Sequence, residues 1–342
     1  MNETAAGSGT DDLAPALAAC LADGGYADPR VSGLRRLTGG STHDTWAFDL
    51  EHGAAGQRQG APLILRRNLA MESLDMPPAA EFALLSWLHD AGLPVARPLL
   101  CDPQGGALGN PFVIAERIIG TDLRKALARG GAGRERSEIG RELAALQGAI
   151  HALDTADCPQ HIFEAFDVAR EVHRWTALLL AGAEVAHPVL RAAIAWLAAN
   201  IPEVERPCIV HGDFKANNIL WSEAGRPVIL DWELAHIGDP VEDLAWTMLW
   251  TTRDDIVCGL LTPEDYLAAY EQSTATRVDR KRLFFWQLYA LVKLCGILRS
   301  GSGTARDGRD LGPSHALLSR GSAHLEAAMA DYLVAIAGGI AA

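Results

Sequence analysis

The segment Ile209-Val210-His211-Gly212-Asp213-Phe214-Lys215-Ala216-Asn217-Asn218-Ile219-Leu220, followed by Val228-Ile229-Leu230-Asp231-Trp232-Glu233, constrains this chain more than any other. Apolar Cys208 to Val210, Ile219 to Trp221 and Pro227 to Leu230 read as short buried strands, with Ser222 to Arg226 as the turn between the last two. The polar residues then fall at strand ends, and the hairpin brings Asn218 and Asp231 together without needing a helix. Asp213 precedes Asn218 by five positions, the spacing at which a catalytic loop supplies a carboxylate to accept a hydroxyl proton and an amide to hold Mg2+. A transferring phosphoryl group needs charge neutralisation by hard oxygen ligands more than it needs covalent help. The pattern therefore points to phosphoryl transfer, with Asp213 as base and Asn218 and Asp231 as metal ligands. His211 is assigned to bracing the loop by hydrogen bonds. Lys215, two residues after Asp213, either neutralises charge on the transferring phosphoryl group or faces solvent as a loop lysine.

The segments His211 to Leu220 and Ile229 to Trp246, the latter reading Ile-Leu-Asp-Trp-Glu-Leu-Ala-His-Ile-Gly-Asp-Pro-Val-Glu-Asp-Leu-Ala-Trp, resemble the aminoglycoside phosphotransferase and choline kinase superfamily. More narrowly, the chain is similar to phosphotransferase-family proteins related to the kinase-like domain of some acyl-CoA dehydrogenases. The resemblance implies an α+β, two-lobed protein-kinase-like fold from about Leu34 onward, with a small antiparallel-sheet N-lobe and a larger, mostly helical C-lobe. The corresponding division is a tail and helix over 1–30, a nucleotide-binding lobe over 31–117, and a catalytic and substrate-binding lobe over 118–342. It also implies that Asp239 and Asp243 brace the site and the helix that follows.

The nucleotide half is sought upstream. Gly39, Gly40, Ser41 and Thr42 lie between alternating apolar positions, as in a hairpin that covers phosphates, although Gly-Gly-Ser is also an ordinary turn. The next strand, Pro62 to Arg67, should carry a cation for the α- and β-phosphates. The first lysine is Lys125, so an arginine must serve. Strand alternation puts Ile64 and Arg66 on one face and Leu65 and Arg67 on the other, which favours Arg66 if Ile64 lines the pocket. Arginine keeps its charge and grips phosphate in a bidentate way. Ala79 to Gly92 has helical spacing, with Phe82, Leu85 and Leu88 on one stripe. Glu81 in its first turn either answers the helix dipole or, as the resemblance implies, pairs with Arg66. Pro111 to Gly120 resembles the strand and hinge of such kinases, with backbone from Glu116 to Ile118 facing adenine.

A net charge of −13 over 342 residues argues against nucleic acid and anionic membranes as partners. Six dispersed cysteines without a Cys-x-x-Cys motif read as buried thiols. No apolar run reaches membrane-spanning length, so a soluble, cytoplasmic protein is expected. Helical spacing covers Leu13 to Leu21, Glu138 to Leu153, Ala186 to Ala199, Pro263 to Tyr270, Arg282 to Leu298 and Ser314 to Ile336. Trp246, Trp250, Phe284, Phe285, Trp286 and Tyr289 either frame an aromatic pocket or fill the core. Ser300 to Gly308 reads as a Gly/Ser-rich break and a candidate flap. The expectation is an ATP- and Mg2+-dependent phosphotransferase acting on a small-molecule hydroxyl: an aminoglycoside-like compound, an amino alcohol or a hydroxyacyl compound. The alternative is a degenerate kinase fold that binds nucleotide or metabolite without turnover. The sequence leaves the acceptor, ATP against GTP, and the oligomeric state open.

Overall fold

Alternating apolar residues in the first part of the chain make an antiparallel sheet, and 3.6-residue periodicity in the remainder makes helices. The structure, a computed structural model, describes residues 12–37, 43–68, 76–106, 108–130, 133–159, 162–163, 166–181, 187–249, 259–306 and 313–339. In chain order the elements are α1 (Leu13–Asp23), β1 (Arg30–Arg36), β2 (His43–His52), β3 (Gln59–Asn68), α2 (Pro78–Asp90), β4 (Pro98–Asp102), β5 (Phe112–Glu116), β6 (Gly120–Asp122) and α3 (Leu123–Ala128). There follow α4 (Arg136–His151), α5 (Val168–Ala181), α6 (Pro188–Ala199), β7 (Cys208–Val210), β8 (Ile219–Ser222), β9 (Pro227–Ile229), β10 (His236–Gly238), α7 (Pro240–Leu249), α8 (Pro263–Thr274), α9 (Arg280–Arg306) and α10 (Pro313–Ala337). The chain divides into two compact units: one of 1–133, 156–163 and 217–234, the other of 134–155, 164–216 and 235–342.

In the first unit, five antiparallel strands run in the order β1-β2-β3-β5-β4. Leu13, Leu17 and Leu21 form one stripe of α1 and pack on Trp46, Phe48, Leu50, Leu63, Leu65, Phe112 and Ile114. Asp12 makes no side-chain cap bond to α1, so burial must hold that helix, at about 1.5–3 kcal/mol for each large apolar side chain removed from water. Because Leu63 and Leu65 face α1, Ile64 and Arg66 face the other way. A second sheet, β6-β8-β9, contains the hairpin in which Ile219 pairs with Ile229. Its turn closes at Gly225, whose φ of 72° suits glycine.

The buried stripe of α2 differs from the sequence expectation. Leu84, Leu85 and Leu88 are buried together with Glu81, while Phe82 is only partly covered. Glu81 turns inward to meet a cation, and this places the buried face one residue away from Phe82.

The second unit packs α4 to α10, apart from its own short sheet of β7 and β10. Trp175, Trp286, Tyr266 and Tyr289 are wholly buried there. The helix α5, the short helix α3 and the strand β10 are not marked by a separate signal in the sequence. The expected break at Ser300 to Gly308 is corrected: α9 continues as helix through Arg306. Gly301 and Gly303 each cost about 1 kcal/mol relative to alanine, but each residue added to an established helix gains a hydrogen bond without a new nucleation cost. Gly308 itself lies outside the described residues, as do Trp250 and Cys258. Cys20, Cys101, Cys158, Cys208 and Cys295 are free thiols. Among the described residues, no helix is long and apolar enough to cross a membrane.

Candidate active site

The first unit carries a cavity of about 660 Å3 on the sheet face opposite α1. Ile64, Arg66, Glu81, Glu116, Ile118 and Asp231 all line it. Arg66 Nη1 donates to Glu81 Oε1 in an ion pair beside this cavity. Arg67, one residue on, points to the other face and pairs with Asp44, which also accepts from Arg36 Nε at 2.7 Å and Trp46 Nε1 at 2.8 Å. Burial pushes the Asp44 carboxyl up, but the bonds from Trp46 and Arg67 outweigh it and hold the group below its ordinary value. The two arginines thus have separate settings: Arg66 opens to the cavity, and Arg67 locks the strand to its neighbours.

Along the wall made by Glu116 to Gly120, backbone hydrogen bonds fix the chain to its neighbours. Glu116 N donates to Arg97 O at 2.9 Å, and Arg117 N donates to Pro62 O at 3.0 Å. At the far end of the β8–β9 hairpin, Leu230 N donates to Asn218 O at 2.8 Å. Asn218 and Asp231 therefore flank the paired strands at the same end. Asp231 has φ of 66°, a left-handed conformation that costs a residue with a Cβ about 1–2 kcal/mol and that aspartate tolerates better than most. The expected covering residues Gly39, Gly40, Ser41 and Thr42 lie outside the described residues.

In the second unit, the strand β7 delivers the backbone into Asp213, and nearly every polar atom on the way is held. Buried Asp243 accepts from His211 N at 2.8 Å, Gly212 N at 2.9 Å and the His151 ring at 3.2 Å. Burial alone would push this carboxyl up. The His151 contact and the neighbouring His211 reverse that and hold it down at about 2. Gly212 has φ of 78°, which turns the chain so that Asp213 N can donate to His211 Nδ1 at 3.2 Å. The Asp213 carboxylate accepts from Trp246 Nε1 at 2.8 Å and pairs with Lys215 Nζ at 2.7 Å. Lys215 thus sits against the carboxylate of its own loop. Asp239 caps α7 through Val241 N at 2.9 Å and accepts from Trp286 Nε1 at 2.7 Å. Its carboxyl is raised by burial despite the nearby Arg282.

A buried charge cluster lies behind this loop. Ligand-type atoms of Glu171, His236 and Glu242 lie within 4.8 Å of one another. Burial opposes the imidazolium, but Glu242 and Glu171 raise the His236 pKa to about 9. Burial likewise opposes the Glu171 carboxylate, yet His236 and Lys293 hold it at about 2. The cluster therefore supplies its own cations.

Of the residues expected from sequence, Arg66, Glu81, Glu116, Ile118 and Asp231 share one cavity, Asn218 stands at the adjoining hairpin end, and Asp213 and Lys215 are paired in the second unit. Trp246 and Lys293 were missed as polar partners of the loop. Trp246 reads as an apolar aromatic, yet its N–H makes it a donor as well. Lys293 stands within Leu291-Val292-Lys293-Leu294-Cys295, and a cation inside a buried apolar stripe is the signal that could have found it.

A model of the phosphotransferase enzyme family matches residues 33–281. A candidate aminoglycoside phosphotransferase from Ralstonia eutropha has a crystal structure that superposes with a TM-score of 0.73, at 20% identity, over 93% of this chain and 97% of that one. The crystal structure of a thermostable mutant of aminoglycoside phosphotransferase APH(4)-Ia, in ternary complex with AMP-PNP and hygromycin B, gives 0.63 at 18% identity, over 94% and 97%. At these identities the likeness is one of fold. Acyl-CoA dehydrogenase family member 11 of Mus musculus is 31% identical over 175 residues, half of this chain. The chain spans 22% of the length of that relative.

Proposed function

Because the chain belongs to the phosphotransferase enzyme family, we propose that it transfers the terminal phosphoryl group of ATP to the hydroxyl of a small molecule. The observation that carries this reading is the cavity of the first unit, where the Arg66–Glu81 pair and Asp231 open onto one space of nucleotide scale. Asp213 accepts the proton of the acceptor hydroxyl. The freed oxygen forms a bond to the γ-phosphorus, the bond from that phosphorus to the bridging oxygen breaks, and ADP leaves with its electron pair. Lys215, already against Asp213, balances charge on the transferring group. Arg66, oriented by Glu81, grips the α- and β-phosphates, with Gly39 to Thr42 as the covering loop. Since the amides of Glu116 and Arg117 are taken by the sheet, adenine is read by the Glu116 carbonyl and the Ile118 amide.

Asn218 and Asp231 fit Mg2+: both are hard oxygen donors at one end of one hairpin, and the left-handed backbone of Asp231 places it in the cavity wall. Bound between them, the ion would neutralise charge on the β- and γ-phosphates. A binding-only module was suggested by the missing lysine. The Arg66–Glu81 pair supplies a cation in place of that lysine, which removes this motive for the binding-only reading. Incubating the protein with Mg·ATP and a panel of aminoglycosides, amino alcohols, sugars and hydroxyacyl thioesters tests the reading, with Asp213→Ala as control. The relatives named as acyl-CoA dehydrogenase family members motivate the thioesters. ADP formed with one acceptor class by the wild type alone is the expected result. Tight nucleotide binding without product from any acceptor would favour the binding module.

A further inference from the structure

Lys293 is only 2% exposed, although a buried ammonium is costly unless its donors are satisfied. Its Nζ donates to Gly212 O at 3.3 Å and lies 3.4 Å from Glu242 Oε1. It also stands 5.1 Å from the centre of the Trp246 ring and 5.7 Å from that of Trp175, within the range of cation–π attraction. The first of these contacts holds the peptide group that leads into Asp213. Gly212 O and Asp213 N belong to the same amide plane, whose carbonyl is held by Lys293 and whose N–H is held by His211. The ring over which Lys293 sits is the one whose N–H reaches Asp213 Oδ1.

Nothing about packing demands a cation at this point of α9. Apolar side chains of similar volume commonly stabilise a core as well as a buried ion pair does. A methionine would fill the space and could still contact the Trp246 ring through its sulfur, but it could not donate to the Gly212 carbonyl or place a positive charge over the ring. We infer that Lys293 is a positioning residue for Asp213, fixing the peptide plane that enters it and the indole that holds its carboxylate; the inference rests on Asp213 being the base proposed above. Glu242 completes the device by anchoring the ammonium. Glu242 is in turn bonded to His236 at 3.2 Å, and Glu171 accepts from Trp175 Nε1 at 3.0 Å and the Tyr289 hydroxyl at 2.7 Å. The loop is thereby referenced to α5, α7 and α9 together.

The test measures ADP formation from Mg·ATP, with water as acceptor, for the full chain and for Lys293→Met, Lys293→Arg, Trp246→Phe and Asp213→Ala. Lys293→Met should lower kcat by about 10- to 100-fold, the scale expected when a catalytic group loses its orientation, with KM for ATP within about twofold. Lys293→Arg should recover part of the loss, and Trp246→Phe should lower kcat with KM similarly unchanged. Where Lys293→Met fails to fold, Lys293→Met combined with Glu242→Gln keeps the cluster's charge balanced and is read in the same way. Folded Lys293→Met with wild-type kcat, or a loss of kcat matched by an equal rise in KM, overturns the positioning role while Asp213→Ala still abolishes turnover. If Asp213→Ala turns over like the wild type, the proposed base itself fails, and the inference falls with it.

Discussion

Asp243→Asn should remove about 3–5 kcal/mol of stability, and the figure follows from what the carboxylate holds. Asp243 accepts from His211 N, Gly212 N and His151 with no exposure to water. A carboxyl held at about 2 rather than 3.8 contributes roughly 2 kcal/mol at neutral pH. The asparagine amide presents an NH2 where one oxygen stood, leaving a buried backbone N–H without an acceptor at a cost of about 1–3 kcal/mol. Urea unfolding followed by far-ultraviolet circular dichroism measures the difference. Because the folded pKa lies below the ordinary one, the linked stability is full above about 4 and is lost as pH falls through about 2. The gap between wild type and variant should therefore be constant from neutral pH down to about 5 and narrow in stronger acid. A variant within about 1 kcal/mol of wild type at pH 7, or a gap that widens on acidification, would refute this account of how the loop is held.

The two arginines of β3 should separate in function. Arg66→Met is expected to raise KM for ATP by about 10- to 100-fold, the scale of one lost charge-assisted contact of about 1.5–3 kcal/mol, and to lower the melting temperature as well, because buried Glu81 loses its cation. Arg67→Met is expected to lower the melting temperature and leave KM nearly unchanged, as steady-state kinetics and thermal melts will show. His236, raised from 6.5 to about 9 by its carboxylates, gives stability that is full below its ordinary pKa and lost as pH rises through about 9. The melting temperature should fall as pH rises from about 6.5 to 9 in the wild type and level off above it, and His236→Gln should flatten that part of the profile.

Strand alternation was enough to place Ile64 and Arg66 together and Arg67 on the opposite face, because period two admits only two faces. The hairpin of β8 and β9 was equally legible, since a Ser-Glu-Ala-Gly-Arg turn between two apolar triplets leaves little choice of register. The antiparallel sheet and helical remainder followed from the resemblance carried by the same loop. The helix continuing through Gly301 and Gly303 was not legible, because local propensity is a weak guide inside a long helix. Nor was the stripe of α2, since the inward turn of Glu81 depends on a cation fifteen residues earlier in sequence. The polar roles of Trp246 and Lys293 come from contacts 33 and 81 residues distant. Periodicity reports which face is buried, but it does not report which buried atom needs a partner.

The central claim is tested most directly by following 31P resonances while the protein, Mg·ATP and a hydroxyl acceptor from the panel react. Wild-type protein should produce a phosphomonoester of the acceptor and ADP in equal amounts, and Asp213→Ala should leave ATP unchanged. A phosphomonoester formed equally by Asp213→Ala would contradict the assignment of Asp213, and ATP left intact by the wild type with every acceptor would contradict phosphoryl transfer itself.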